Sequence, residues 1–277
     1  MKQPHCNLCH SLNTNRLFEK SDAVYYTCID CGFTFSCNKT NPNFENSIDD
    51  FEPSYLAYFG EQPSDKRNHE SLLNWINTFI QPENAALLDI GCGSGKWVSF
   101  LHQWNIPATG IEPSAVLFTA FLTGKQGFLC TSSTELLKNF PGKQYDIITV
   151  FDVLEHSRDP LLFIQEISAL LKPGGFVFIS TPDVSSLHRK LTGKWWHYFN
   201  HYHASFFSKQ TLSAAAEKAG LELTHTSYRS RYFSLDYIWT YFKNFLLKKK
   251  SPLSGPKKWL FPVNLFDNMY AVLRKTQ

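Results

Sequence analysis

From about residue 66 the chain alternates short apolar runs with amphipathic stretches, and only a few architectures accept that alternation. In HESLLNWINTFI, Leu72, Leu73, Ile76 and Ile80 fall at helical spacing. AALLDIG then reads as a short buried strand ending at glycine, KWVSFLHQW as a helix, ATGIEP as a strand and AVLFTAFLTG as a helix. FLCTS and YDIITVFDVLEH read as strands, the second running into a loop. PLLFIQEISALLK is amphipathic, PGG is a turn and FVFISTP is the next strand. Strands separated by helices predict an α/β, doubly wound, Rossmann-like fold with a parallel sheet. Ligands of such sheets bind beyond the carboxyl ends of the strands, so function is to be sought there.

The first of those ends carries Asp89-Ile90-Gly91-Cys92-Gly93-Ser94-Gly95. Glycines let the backbone turn sharply and approach a ligand closely. The dinucleotide fingerprint would need a glycine where Lys96 stands. The phosphate loop would need its first glycine at Ile90 and a hydroxyl residue at Trp97. What remains is G-x-G-x-G preceded by an acidic residue. It suits a ligand with a ribose and a cationic amino-acid tail rather than a pyrophosphate. Glu112 ends the second strand, 21 residues after Gly91, where a carboxylate can accept both ribose hydroxyls.

Ahead of this region lie two cysteine pairs, Cys6 with Cys9 and Cys28 with Cys31. Two C-x2-C knuckles put four thiolates at the corners of a tetrahedron, the arrangement of a structural Zn²⁺. AVYYTCIDCGFTF reads as strand, knuckle, strand, so residues 1–45 are expected to form a zinc ribbon. Gly32 follows the second pair, where a knuckle turn tolerates positive φ. His5 and His10 flank the first knuckle, but four thiolates already close the shell, and Cys37 is a spare. Residues 46–65, in a stretch rich in Asn, Asp and Pro, are the expected linker, with the main domain at 66–277. Tyr55, Tyr58 and Phe59 interrupt that stretch, either packing between the domains or forming a lid.

Composition narrows the function classes. Apolar residues make up 43%, enough for a core, which excludes overall disorder. Lys and Arg total 27 against 24 Asp and Glu, too even for a dedicated nucleic-acid binder. No charged-then-apolar leader opens the chain and no apolar run is long enough to span a bilayer, so a cytoplasmic location is expected.

LLDIGCGSG, GIEPS, YDIITVFDVLEHSRDP and LLKPGGFVFISTP, in that order, resemble the class I S-adenosylmethionine-dependent methyltransferases. The nearest resemblance is to the ubiquinone-type O-methyltransferases, over roughly residues 66–228. It implies a seven-stranded sheet whose last strand is antiparallel, and DNMYAVLRK looks like that strand. The resemblance also assigns roles. Asp89 would orient the glycine loop near the amino group of the cofactor. Gly91 and Gly93, within the loop that Gly95 closes, would pass beneath its methionine part. Glu112 would bind the ribose hydroxyls. Thr131 and Ser132 stand where an acidic residue often meets the adenine amine, and they depart from that pattern. Asp152 would lie beside the sulfonium, the alternative being a loop cap. His156 just beyond is often structural.

Methyl transfer from a sulfonium is an in-line displacement that needs aligned reactants and often a base. After the fifth strand comes VSSLHRKLTGKWWHYFNHYHASFFSKQTL, with His188, His197, His201 and His203. By resemblance His203, followed by Ser205-Phe206-Phe207-Ser208, is the first candidate base, and His201 the second. His197 and His201 would share a face if this stretch were helical, but with no acidic partner nearby a metal there is not expected. Trp195, Trp196 and Tyr198 either stack on a sugar or ring, or pack. Within 229–262, Leu235, Ile238, Trp239, Phe242, Phe245 and Leu246 fall at helical spacing, followed by lysines. This insertion either roofs the substrate cleft or, over 232–258, touches an anionic membrane.

The expected activity is therefore methylation of oxygen, with carbon second, on a small molecule, a sugar, or a glycan or lipid precursor. Two competing classes stand beside it. One is a non-catalytic zinc-ribbon binding protein on such a scaffold. The other is a nucleic-acid or protein methyltransferase. Intact Asp89, glycine loop and Glu112 argue against the first. No Asn-Pro-Pro-Tyr-type element follows the fourth strand, so nucleic acid is not an expected partner.

Overall fold

A computed structural model of the chain describes residues 3–38, 59–235, 238–239 and 259–276. Most of the expected linker, with Tyr55 and Tyr58, and most of the insertion, with Phe242, Phe245 and Leu246, lie outside the described residues.

The cysteine-bearing end is an antiparallel sheet of β1 (Thr14–Lys20), β2 (Ala23–Cys28) and β3 (Thr34–Asn38). The sequence pattern predicts β2 and β3 but not β1, five of whose seven residues are polar or charged. The central region follows the predicted alternation. Helix α1 (Asp65–Ile76) leads into β4 (Leu87–Ile90), α2 (Lys96–Gln103), β5 (Ala108–Ile111), α3 (Ala115–Phe121) and β6 (Phe128–Leu129). Then come α4 (Ser133–Asn139), β7 (Tyr145–Phe151), α5 (Pro160–Leu170) and β8 (Leu171–Pro182). The sequence reading has no helix at α4, whose start is a capping box between Ser132 and Glu135. The expected PGG turn is part of β8, with Gly174 at φ +74° and a shift in its register with β7 between Tyr145 and Ile147. The pattern places a break there because a strand and a turn share those residues.

The chain continues through α6 (Leu187–Thr192), β9 (Ser205–Phe206), α7 (Lys209–Lys218), β10 (Leu221–Tyr228), β11 (Arg231–Ser234), β12 (Leu260–Val263) and β13 (Asn268–Lys275). The described ends of the 229–262 segment are thus two paired antiparallel strands, with Tyr232 in β11. Seven strands make the main sheet in the order β10-β13-β8-β7-β4-β5-β6. β13 pairs antiparallel with both β10 and β8, and the remaining pairings of the sheet are parallel. This is the seven-stranded Rossmann-like sheet that the sequence predicts.

Alternate residues of the central strands feed two cores, as strand periodicity requires. On one face Ile148, Val150 and Val177 meet Ile164, Ile167, Leu212 and Ala216 of α5 and α7. On the other Leu87, Ile147 and Phe178 meet Leu73, Trp75, Ile76, Val98 and Leu101 of α1 and α2. The cysteine-bearing sheet joins the first face through Cys6, Cys28, Phe33 and Phe35. It also packs on Trp196, Phe199 and Phe206 through Ala23 and Tyr25. Trp196 is fully buried in that seam and donates its indole N–H to Asp267 at 2.9 Å. Trp196→Ala should therefore destabilise the chain by about 3–5 kcal/mol in denaturant unfolding. A change below about 1 kcal/mol would show that the seam does not contribute to the cooperative unit.

Candidate active site

The pairing of Ile90 with Ile111 sets where the β4 and β5 ends stand relative to one another. Gly91 and Cys92 both donate to the carbonyl of Ile111, at 2.9 and 3.0 Å, which turns the loop back over β5. Gly91 and Gly93 take φ of +72° and +56°. A Cβ on Gly91 would come within 2.6 Å of Val153, and one on Gly93 within 2.7 Å of the Phe59 ring. Only glycine serves at both. Gly95 starts α2 at φ +74°.

Two buried carboxyl groups back this loop. Asp89 accepts from the Thr149 hydroxyl at 2.6 Å. Burial, aided by the charge of Glu112, pushes its pKa up to about 7. Glu112, 3% exposed, accepts the N–H of Gly93 on one oxygen and that of Ser114 on the other, both at 2.9 Å. Ser132 caps α4, and the Thr131 hydroxyl reaches Glu135 at 3.2 Å, so both polar groups of this corner already hold the α4 start.

These residues line one side of a cavity of about 1450 Å³. The loop after β7 forms its floor. Asp152 sits there at φ +55°, unusual for a non-glycine residue. Its carboxylate takes the Ser180 hydroxyl at 2.8 Å, the Arg231 guanidinium at 2.8 Å and the Asn268 amide at 3.1 Å. Burial alone would raise its pKa; Arg231, Ser180 and Asn268 outweigh that and hold it below the usual carboxylate value. Glu155, two residues past Val153, is buried and accepts from the Thr181 hydroxyl at 3.0 Å; burial and the Asp152 charge outweigh that bond and Arg231 and raise it to about 8. The neighbouring carboxyls are thus split, one ionised and one protonated near neutrality.

His203 stands in the same wall, 8% exposed. Its Nδ1 lies 2.9 Å from the carbonyl of Tyr198. A carbonyl only accepts, so Nδ1 carries the proton and Nε2 the free lone pair. His156 is held in the same way by the carbonyl of Tyr202 at 3.0 Å. The two rings lie edge to face, 4.9 Å apart. Burial, reinforced by the charge His156 would carry, keeps His203 well below its ordinary pKa and therefore neutral.

The segment around these histidines is not the helix that would place His197 and His201 on one face. A 3-10 turn at Gly193–Trp195 is followed by turns and β9. His201 is exposed and does not line the cavity, whereas His197 does. His197 has an acidic neighbour after all: Asp267 lies 3.9 Å away and also takes His188 at 2.6 Å. The sequence hid this contact because Asp267 comes from the start of β13. Trp195 is 74% exposed, Trp196 is packed and Tyr198 lines the cavity. Phe59, one of the three linker aromatics, lies on the glycine loop. Arg231, Asn200 and Glu155 were not singled out from the sequence. Glu155 alone had a local signal, in the VLEH that follows Asp152.

Among the described residues three sets can hold a metal ion, each with ligand atoms within 4.8 Å of one another: Cys6/Cys9/Cys28/Cys31, Glu155/His156/His203 and His188/His197/Asp267. In the first, Cys6 and Cys31 sulfurs are 3.7 Å apart, Cys9 and Cys28 3.6 Å apart, and none is in a disulfide. Gly32 sits at φ +72° in the second knuckle.

A sheet of this order, with a glycine loop after its first parallel strand and a buried acid after the second, defines the class I methyltransferase architecture. The profile of the family described as "Methyltransferase domain" matches residues 64–226, more than half of the chain. The chain belongs to that family and is an S-adenosylmethionine-dependent methyltransferase. It is 33% identical over 168 residues to a ubiquinone biosynthesis O-methyltransferase of Bordetella bronchiseptica, covering 55% of this chain and 68% of that protein. A ubiquinone biosynthesis O-methyltransferase of Brucella melitensis is 28% identical over 185 residues, 62% of this chain and 72% of its own. A SAM-dependent methyltransferase of Archaeoglobus fulgidus superposes with a TM-score of 0.54 at 17% identity, over 81% of this chain and all of its own. The 1,6-didemethyltoxoflavin-N1-methyltransferase of Burkholderia thailandensis, solved with S-adenosylhomocysteine, gives 0.53 at 14% identity over 93% of this chain. At such identities these two likenesses concern the fold.

Proposed function

We propose that this methyltransferase places a methyl group on a hydroxyl oxygen of a small molecule, a sugar, or a glycan or lipid precursor. The observation that carries the reading is His203: a neutral imidazole in the cavity wall, its tautomer fixed by the Tyr198 carbonyl and its Nε2 lone pair available. When bound, S-adenosylmethionine supplies a methyl carbon attached to a positive sulfur. Gly91, Gly93 and Gly95 leave room for its methionine part, and the Asp89 carboxylate faces its ammonium group. Glu112 would accept the ribose hydroxyls. Thr131 and Ser132 border the adenine end. Asp152, kept ionised by Arg231, adds negative potential beside the sulfur. In transfer, Nε2 of His203 would take the proton that the acceptor hydroxyl gives up as its oxygen gains the methyl group, the sulfur keeping the bonding pair. His201 lies outside the cavity wall and is assigned no proton transfer.

The ribbon expected over residues 1–45 would hold one structural Zn²⁺ on Cys6, Cys9, Cys28 and Cys31, a closed shell with no position for water. The remaining boundaries follow: a linker at 46–65 and the catalytic domain at 66–277. Metal analysis should find one zinc per chain, and less than about half an equivalent in freshly purified protein would reject the assignment.

Glu112→Ala should weaken S-adenosylhomocysteine binding at least about tenfold in calorimetry, since charge-assisted hydrogen bonds are worth about 1.5–3 kcal/mol each. Unchanged affinity would refute the ribose role. The pKa of Asp89, about 7, adds a pH dependence. The ligand-free protein binds a proton there that an ammonium group would displace. Affinity should therefore fall as pH drops below 7, by up to about tenfold per unit. Asp89→Asn should flatten that slope.

For the base, His203→Ala should lower kcat by about 10²–10⁴-fold with cofactor affinity nearly intact. A loss below about fivefold would make His203 an orienting residue, since alignment alone accelerates such transfers.

A further inference from the structure

Strand β9 belongs to two structures at once. On one side Ala204 donates its N–H to the carbonyl of Glu155 at 2.9 Å, and the Ser205 hydroxyl donates to the carbonyl of Ser157 at 2.6 Å. Those two bonds fasten the strand to the loop that carries Asp152 and Glu155. On the other side β9 extends the cysteine-bearing sheet, Thr34 pairing with Phe206 and Phe35 with Ser205. The N–H of Ser36 donates to the carbonyl of Ala204 at 2.9 Å. The Ser36 hydroxyl donates to the carbonyl of His203 itself at 2.7 Å. The Tyr25 hydroxyl donates to the carbonyl of Asn200 at 3.1 Å.

These contacts are buried and specific. Ser36 is 5% exposed and Tyr25 fully buried, its ring against Phe18, Phe199 and Phe206. They land on the stretch 196–206, which supplies Tyr198, Asn200, Tyr202 and His203 to the cavity wall. They also lie close to the knuckles in sequence: Tyr25 precedes Cys28 in β2, and Ser36 follows Cys31 into β3. The turn joining those strands is closed by Cys28 N–H to the carbonyl of Phe33, at 2.8 Å, and by Gly32 N–H to the carbonyl of Cys28, at 3.0 Å. The knuckle that carries Cys28 and Cys31 is therefore continuous with the strand pairing that presents Ser36.

We infer that the cysteine-bearing sheet is a positioning element of the acceptor site, with Ser36 and Tyr25 setting where the His203 ring stands through the backbone of residues 200–204. The inference rests on the reading of His203 as the proton acceptor. It goes beyond a ribbon that merely stabilises the chain, because it makes the sulfur cluster act on the acceptor wall and leave the glycine loop unchanged.

The test uses the full-length, metal-loaded chain and needs no identified acceptor. Ser36→Ala and Tyr25→Phe each remove one hydroxyl without opening a large cavity. Hydrogen exchange read by mass spectrometry should speed up in peptides of 196–206 by about fivefold, the effect of one net hydrogen bond. Peptides of β4 and β5 should keep their rates, and S-adenosylhomocysteine affinity should stay within about twofold, because those elements lie outside the altered contact. The His203 ring signals in isotope-labelled protein should shift, and Ser36→Thr, which restores a hydroxyl, should bring them back. Stripping the metal with a chelator should reproduce the exchange pattern. Unchanged His203 signals in both variants would overturn the proposal, and so would faster exchange throughout β4–β8. The base reading fails separately, in the turnover of His203→Ala, and the two failures are read from different experiments.

Discussion

The carboxylate of Glu112 is the constraint on which the glycine-loop side of the cavity depends. It is one residue past β5, buried, and bonded at once to the N–H of Gly93 in the glycine loop and to that of Ser114 at the start of α3. Ser114 in turn caps α3 through the N–H of Leu117 at 3.1 Å. One side chain thus ties the loop after the first parallel strand to the helix after the second. A buried carboxylate is tolerated only when its lone pairs are used, and here two backbone donors use them before any ligand arrives. The loop is consequently preorganised, so little ordering cost is left for binding.

Charge is then distributed across the cavity by burial and by a single guanidinium. Burial dominates at Asp89 and Glu155, and both are pushed up toward neutrality. Asp152 has Arg231 at 2.8 Å and goes the other way. A positive ligand entering this cavity meets the Glu112 carboxylate, the Asp152–Arg231 pair and two carboxyls, Asp89 and Glu155, able to ionise in response. The uncharged His203 beside them adds no repulsion toward a sulfonium.

The parts legible in the sequence are those built from neighbours along the chain. The β4 end, its glycine loop and Glu112 form one strand-helix-strand unit, and the spacing that identifies them is also the spacing that brings them together. The cysteine pairs are legible for the same reason. What the sequence concealed joins distant segments: Arg231 on Asp152, Asp267 between His188 and His197, and β9 against β3. No local periodicity marks such contacts. Strand β9 has two residues, too few to show an alternation, and its strand character comes from being held on both sides. The stretch around His197 and His201 is likewise set by distant contacts, the packing of Trp196 and Phe199 against Ala23 and Tyr25.

This division between local and distant contacts has a functional consequence. The half of the cavity around the glycine loop is one supersecondary unit whose geometry is fixed by strand register, so few substitutions elsewhere can disturb it. The other half is assembled from four separated pieces: the loop after β7, the stretch 196–206, β11 with β12, and the start of β13. Each piece is anchored by its own contacts, to Ser180, to the cysteine-bearing sheet, to Asn68 of α1 and to Asp183 respectively. A change in any one anchor moves one wall of the cavity while the glycine loop and Glu112 stay in place. The same sheet can therefore present different walls opposite the glycine loop without altering that loop, and the shape of those walls follows from the anchors rather than from the motifs that reveal the family.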